Sequence, residues 1–141
     1  MNAPLTISGH ALLGEDLVLQ PVDIVIEQGR VTAIEDNPRA PDIWICPAFF
    51  NAHTHLADTI AMFSEMAFAA TVYRLDPRTV LRSAIAGSTL SGSGFFIRKG
   101  ERATLFTLDP SQSALEFSRD PVASIVKRAP VSQIRNNVFN L

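Results

Sequence analysis

Cysteine is almost absent from this sequence, because Cys46 is the only one among 141 residues. A lone cysteine can form no disulfide within the chain, and it excludes a zinc site built mainly from cysteine. Its neighbours Ile43, Trp44 and Ile45 are apolar. That setting favours a buried and inert thiol over a reactive one.

Long hydrophobic runs and a surplus of positive charge are also lacking. No segment approaches the ~20 apolar residues of a membrane-spanning helix, and the N-terminus lacks the basic and apolar regions of a signal peptide. We therefore expect cytoplasmic localisation and no membrane partner. The formal net charge is -2, with 12 basic residues spread along the chain, which argues against nucleic acid as a partner.

Apolar residues, in contrast, are plentiful. They make up 47% of the chain against 18% charged residues, which suffices for the packed core of one domain. The mean hydropathy of +0.17 is high for a soluble monomer of this size. We interpret it as a sign of an interface that a partner covers.

The first fifty residues are predicted to be β structure. Residues 17–19 form a short apolar strand, and Val22 to Glu27 alternates with the period of two that is typical of a half-buried strand. Gln28-Gly29 separates it from a second alternating run, Arg30 to Glu35. This arrangement predicts a tight hairpin, and a short apolar strand follows at 43–45.

The middle of the chain is predicted to be helical. The apolar residues of a first helix fall on one face at spacings of three and four: Ile60, Phe63, Ala67 and Ala70. Asp76-Pro77 is an N-cap followed by proline at the first helical position of a second helix. The apolar stripe of this second helix comprises Val80, Leu81, Ala84 and Ile85.

The last part of the chain is predicted to return to β structure with one further helix. Thr104 to Leu108 has the composition of a strand. Asp120-Pro121 repeats the cap-plus-proline pattern and predicts a short amphipathic helix. Residues 131–139 are then expected to be extended. The predicted order is therefore β, α, and β again with one helix.

Two histidines one residue apart, His53 and His55, are the main chemical signal. Side chains at this spacing in an extended segment point to the same side, where neutral imidazoles can bind zinc, iron or nickel. The pattern alone also fits two solvated or hydrogen-bonded histidines. Its context within the chain decides between these interpretations.

The order of the motifs resembles the amidohydrolase superfamily. Residues 26–34, Ile-Glu-x-Gly-Arg-Val-x-x-Ile, and residues 47–55, which end in His-x-His, are similar to the start of these proteins. Residues 76–84 look like the late helix of the family. Residues 94–109 look like the strand that re-enters its β domain, and residues 120–139 resemble its closing helix and strand.

The resemblance implies a β-sandwich built from both chain ends, with a (β/α)8 barrel inserted between them. The His-x-His pair would end the first barrel strand. Later strands of the family add a lysine or carboxylate, two more histidines and an aspartate, which together hold one or two metals. The metal activates a water for attack on a carbon–nitrogen or related bond, and the aspartate acts as ligand and proton shuttle.

The sequence departs from this family pattern in length. A (β/α)8 barrel needs about 200 residues, whereas only about 40 lie between His55 and Gly94. The third histidine, His10, is expected at the surface or in the core, so only His53 and His55 correspond to family ligands. Asp58 could follow the His-x-His motif as in the family, derive from the last barrel strand, or be a carboxylate at a helix N-terminus.

We therefore predict an α+β fold that is mainly β. Residues 1–50 and 95–141 are expected to form a composite β-sandwich domain. Residues 51–94 are expected to form a barrel remnant that carries the His-x-His motif and two helices.

The expected function is that of an amidohydrolase-like protein, related to metal-dependent hydrolases of non-peptide C–N bonds. We expect a divalent metal, zinc by preference, at His53 and His55, a small-molecule substrate, and no complete active site within the chain. The alternatives are a non-catalytic dimerisation or partner-binding module and a metal-binding protein without turnover. A shortened barrel would expose apolar helix surface, which predicts a homodimer through the helices of residues 60–86.

Overall fold

The structure is a computed structural model that describes residues 3–49, 59–86, 96–129, 132 and 134–138. Within these residues the chain forms six strands and three helices. They are β1 (Leu5–Leu13), β2 (Val18–Glu27), β3 (Arg30–Asp36), β4 (Trp44–Pro47), α1 (Thr59–Thr71), α2 (Pro77–Ala86), β5 (Leu105–Leu108), α3 (Pro121–Arg128) and β6 (Ile134–Val138). The predicted α+β, mainly β class is confirmed.

The six strands form one mixed sheet in the order β3-β2-β1-β4-β5-β6. β4 pairs in parallel with β1 and antiparallel with β5, and β5 pairs antiparallel with β6. Strands from the first and last thirds of the chain therefore share one sheet. This is the joint fold of both chain ends that the motif order predicts.

The tight hairpin at Gln28-Gly29 is confirmed. Both residues have positive φ, 47° for Gln28 and 76° for Gly29, and Glu27 pairs directly with Arg30. Positive φ at both central residues defines a type I′ turn, whose twist matches that of the two flanking strands. The β2–β3 register then shifts by one residue between Val25 and Ile26.

β2 runs unbroken through Pro21, where two separate strand segments were expected. Pro21 pairs with His10 of β1, and its carbonyl accepts a hydrogen bond from Asn37 N at 2.9 Å. The N and O atoms of one strand residue face the same neighbour, so the missing N–H of Pro21 faces β3. Because the last pair on that side joins Val22 to Asp36, the proline lies where the β2–β3 ladder ends, and the bond that it cannot donate interrupts no pair further along.

One face of the sheet packs around an apolar core that is separate from the helical core. Backbone hydrogen bonds join the start of β3 to the segment before β5: Val31 N donates to Glu101 O at 2.9 Å, and Gly100 N donates to Val31 O at 2.7 Å. The sheet thus brings β3 near β5 around a buried cluster. Its members are Ala11, Val22, Ile24, Ile26, Val31, Ile45, Ile97, Ala103 and Leu105.

The three helices cover the other face and form a second core with it. Both predicted N-caps are confirmed: the carboxylate of Asp76 accepts from Thr79 N at 2.8 Å, and that of Asp120 accepts from Ala123 N at 3.0 Å. The predicted stripe of α2 is buried. Buried residues of this core include Leu12, Trp44, Phe63, Met66, Leu81, Ile85, Phe106, Leu108, Leu115, Ile125 and Val126.

Arginine side chains attach α2 to the turn between β1 and β2. Arg82 Nε donates to Glu15 O at 2.6 Å, and Arg78 donates to Asp16 O. Arg98 forms an ion pair with Glu15 at 2.6 Å, and its hydrogen bond lowers the pKa of the Glu15 carboxyl. The turn and the helix are therefore positioned together, although exposed ion pairs of this kind add little to stability.

We expect Gln28→Asn to stabilise the protein. Asparagine adopts positive φ more readily than glutamine, and Asn-Gly is the preferred pair in a type I′ turn. The free energy of unfolding, measured by urea denaturation, should rise by roughly 0.5 kcal/mol. Gln20→Asn makes the same chemical change within β2, where the backbone is extended, and should bring no gain. An equal effect of both substitutions would contradict this assignment of the turn.

Candidate functional site

The last residues of β4 lead the chain toward the His-x-His segment. β4 is buried along its whole length, because it lies between β1 and β5. The sheet contact continues one residue further, since Ala48 N donates to Thr104 O at 3.0 Å. The chain therefore leaves the sheet from a fixed position immediately before residues 50–58.

Three phenylalanine rings hold the two sides of residues 50–58 together. Phe49, on the N-terminal side, contacts Phe63 of α1 with ring centroids 5.3 Å apart, and it contacts Phe106 of β5 at 5.2 Å. Phe63 and Phe106 also meet, at 6.2 Å. All three pairs are edge-to-face, which aromatic rings prefer. The start of α1 is thereby tied to the end of β4.

His53, His55 and Asp58 lie outside the described residues, so their role in a metal site stays a prediction. Within the described part of the chain, no group of three or more His, Cys, Asp or Glu side chains could hold a metal ion.

The sheet carries two other side chains of types that can bind metals, His10 and Cys46. His10 is half-buried on β1, and its Nδ1 lies 3.2 Å from Pro41 O. A hydrogen on that nitrogen is donated to the carbonyl. Cys46 is buried on β4, as expected, and burial raises the pKa of its thiol far above the ordinary range. A buried thiol held in its protonated form is a poor nucleophile.

Comparison with known proteins provides evidence of a relationship to hydrolases. The chain is similar to a protein named "Putative aminohydrolase" from Methanothermobacter thermautotrophicus. The two are 34% identical over 70 residues, which cover 44% of this chain. This similarity supports the hydrolase relation suggested by the motif order.

The similarity covers a limited part of both proteins. The match spans 18% of the length of the archaeal relative, so the activity of that whole protein cannot be transferred to this chain. No family model matches the sequence, and no solved structure gives a significant match.

An exposed apolar cluster lies at the C-terminal end of α1. Phe68, Val72, Tyr73 and Leu75 are all exposed, with 53% of Phe68 and 68% of Tyr73 accessible to solvent. The Phe68 and Tyr73 rings contact each other at 5.5 Å. The opposite face of α1 is buried in the helical core. Phe68 is thus an exposed apolar side chain on α1, whereas the apolar stripe of α2 is buried. No described helix is long and apolar enough to span a membrane.

A surface pocket of about 420 Å³ lies between α3 and the segment before it. Its lining includes Phe117, Arg119, Lys127 and Arg128. Sequence reasoning treated α3 only as an amphipathic helix and missed this pocket. Two sequence features could have indicated the pocket: the pair of basic residues in the last turn of α3 and a phenylalanine in the polar segment before it.

The contact between Phe49 and Phe63 should appear as a coupling energy. In a double-mutant cycle with Phe49→Leu and Phe63→Leu, we expect about 1 kcal/mol of coupling in the free energy of unfolding, because each substitution removes the same edge-to-face pair. A parallel cycle of Phe63→Leu with Phe117→Leu combines a buried core residue with an exposed residue of the loop before α3 and should be additive. Additivity in both cycles would mean that the rings do not hold the segment together.

Proposed function

We propose that this chain is a hydrolase of the aminohydrolase kind, in which His53 and His55 supply ligands to a divalent metal. The reaction class would be hydrolysis of C–N bonds other than peptide bonds in a small molecule. The main support is the pairing of both chain ends in one sheet, with β4 leading directly to the segment that carries the two histidines. The similarity to the archaeal aminohydrolase agrees with this proposal.

The composition of the chain restricts how such a centre could be completed. A catalytic zinc ion takes three protein ligands and keeps one position for water, whereas His10 is committed to a different part of the sheet. Asp58 is the candidate third ligand within the chain, and a second copy could bring two further imidazoles. Zinc would be the preferred metal, because neutral imidazole and carboxylate are both good zinc ligands. When bound, the metal would lower the pKa of a water molecule and make it a nucleophile.

Self-association is a second candidate function, and the exposed cluster at the end of α1 favours it. The cluster is bordered by two exposed charges of opposite sign, Glu65 and Arg74. In an antiparallel pairing of two α1 helices about a two-fold axis, Phe68 of each copy would face Val72 of the other. A second copy of this chain would therefore cover exposed apolar side chains of the cluster on both copies.

Metal binding by the two histidines can be measured directly. We expect the metal-stripped protein to bind Zn²⁺ in competition with a chromophoric chelator, and His53→Ala with His55→Ala to weaken binding at least about tenfold. His10→Asn is the matched control, because it removes the third imidazole but keeps a hydrogen-bond donor near Pro41 O. Zinc below about a tenth of an equivalent per chain, or equal binding by the double variant, would contradict the metal site.

The hydrolase proposal needs a second measurement on the same proteins. The zinc-loaded chain would be tested on a hydantoin, a dihydropyrimidine and an amino-substituted heterocycle. Turnover that disappears in the His53→Ala, His55→Ala variant but persists in His10→Asn would establish a hydrolase. Zinc binding without any turnover would instead favour a metal-binding protein.

The dimer can be tested independently of the metal. We expect the chain to sediment as a dimer at micromolar concentration, and Phe68→Lys to make it monomeric by placing a charge in the apolar contact. Phe117→Lys is the matched control, since it adds the same charge at an exposed phenylalanine away from α1. A wild-type monomer at these concentrations would contradict the proposed pairing.

A further inference from the structure

The pocket beside α3 combines charge, hydroxyl groups and an aromatic ring in one place. It lies outside the proposed metal site and uses none of the residues of that site. Its volume of about 420 Å³ falls in the range of small-molecule binding sites. The lining comprises Ser113, Ala114, Phe117, Ser118, Arg119, Asp120, Ala123, Ser124, Lys127 and Arg128.

The side chains that line the pocket carry a net positive charge. Arg119, Lys127 and Arg128 carry three positive charges against one negative charge on Asp120. The Asp120 carboxylate is already engaged, because it accepts the hydrogen bond from Ala123 N that caps α3. This local excess of two positive charges occurs on a chain whose net charge is -2, so it does not follow from overall composition. It would match a dianion such as a phosphate monoester.

Hydroxyl groups line the same pocket. The Oγ atoms of Ser118 and Ser124 lie 2.6 Å apart, and Ser124 is buried. Ser113 Oγ is held in place by two contacts, since it donates to Pro110 O at 2.7 Å and accepts from Leu115 N at 3.1 Å. The hydrogen bonds fix the wall of the pocket on the side where α3 begins. The Ser113 hydrogen is used by Pro110 O, whereas the Ser118–Ser124 pair shares one hydrogen bond and keeps one further O–H that can be donated to an oxyanion.

Phe117 supplies an aromatic surface beside these polar groups. It is 87% exposed, more than any other large hydrophobic side chain in the described part of the molecule. An exposed phenylalanine alone needs no functional explanation. Here it lines a pocket together with three cationic side chains, and an aromatic face next to cations is the arrangement that holds a planar ring with an anionic group.

We propose that this pocket binds a phosphate monoester that bears a planar ring, such as a nucleoside monophosphate. The phosphate lies against Arg119, Lys127 and Arg128, and the ring packs on Phe117. The proposal goes beyond the hydrolase function and does not depend on His53 or His55.

The test compares three probes by titration calorimetry or chemical-shift perturbation at constant salt: phenyl phosphate, inorganic phosphate and benzoate. Phenyl phosphate should bind most tightly, because it alone combines the dianion with a ring. Saturable binding of phenyl phosphate that exceeds both other probes supports the proposal. No saturable binding below about 10 mM, or equal affinity for benzoate, overturns it.

Variants then separate the two parts of the ligand. Lys127→Ala should weaken phenyl phosphate and inorganic phosphate by similar factors, on the order of tenfold. Phe117→Leu should weaken phenyl phosphate but leave inorganic phosphate unchanged. The matched controls, Lys99→Ala and Phe68→Leu, should alter neither affinity. Loss of affinity in a control equal to that in its pocket variant overturns the assignment. All four substituted side chains are exposed, so the fold tolerates their replacement, and thermal unfolding of each variant verifies this.

Discussion

The pairing of β4 with β1 and β5 is the constraint on which the rest of the structure depends. β4 is short, and each of its residues is buried, so its position in the sheet depends on both neighbouring strands. One neighbour comes from the N-terminal hairpin and the other from the last third of the chain. The close approach of β4 to β1 also requires glycine at position 9, because a Cβ there would lie 2.5 Å from Ile43 O.

The same strand pairing positions the described residues on both sides of residues 50–58. β4 and β5 are held in register with Phe106 opposite Cys46, so Phe49, two residues after the end of β4, contacts the Phe106 ring. Phe63 of α1 completes this group of rings. The sheet therefore fixes both sides of residues 50–58 before any ligand is considered.

The parts of the fold that sequence predicts are those fixed by local interactions. The Gln28-Gly29 turn and the caps at Asp76 and Asp120 each involve residues only a few positions apart, and all three are confirmed. In contrast, no bounds for β1 could be predicted, because its partly exposed residues alternate poorly and its position depends on pairing with β4. Continuity of β2 through Pro21 likewise depends on where β3 ends.

The candidate sites were less predictable, for a related physical reason. His53 and His55 are one residue apart in sequence, so the motif could be recognised without a structure. The pocket beside α3 brings Phe117 and Arg119 of a loop together with Lys127 and Arg128 in the last turn of the helix, and only the packing of α3 creates that proximity.

The two faces of α3 have different roles. Val122, Ile125 and Val126 are buried and join the helical core, so their replacement would affect the fold. Lys127 is exposed and lines the pocket, so it is free to contribute to binding. The exposed apolar residues at the end of α1 are similarly unnecessary for the core. Hydrophobic packing of the core explains why the buried residues are apolar. It does not explain the pocket face of α3 or the exposed apolar residues at the end of α1, so these two surfaces are the places to look for functions beyond folding.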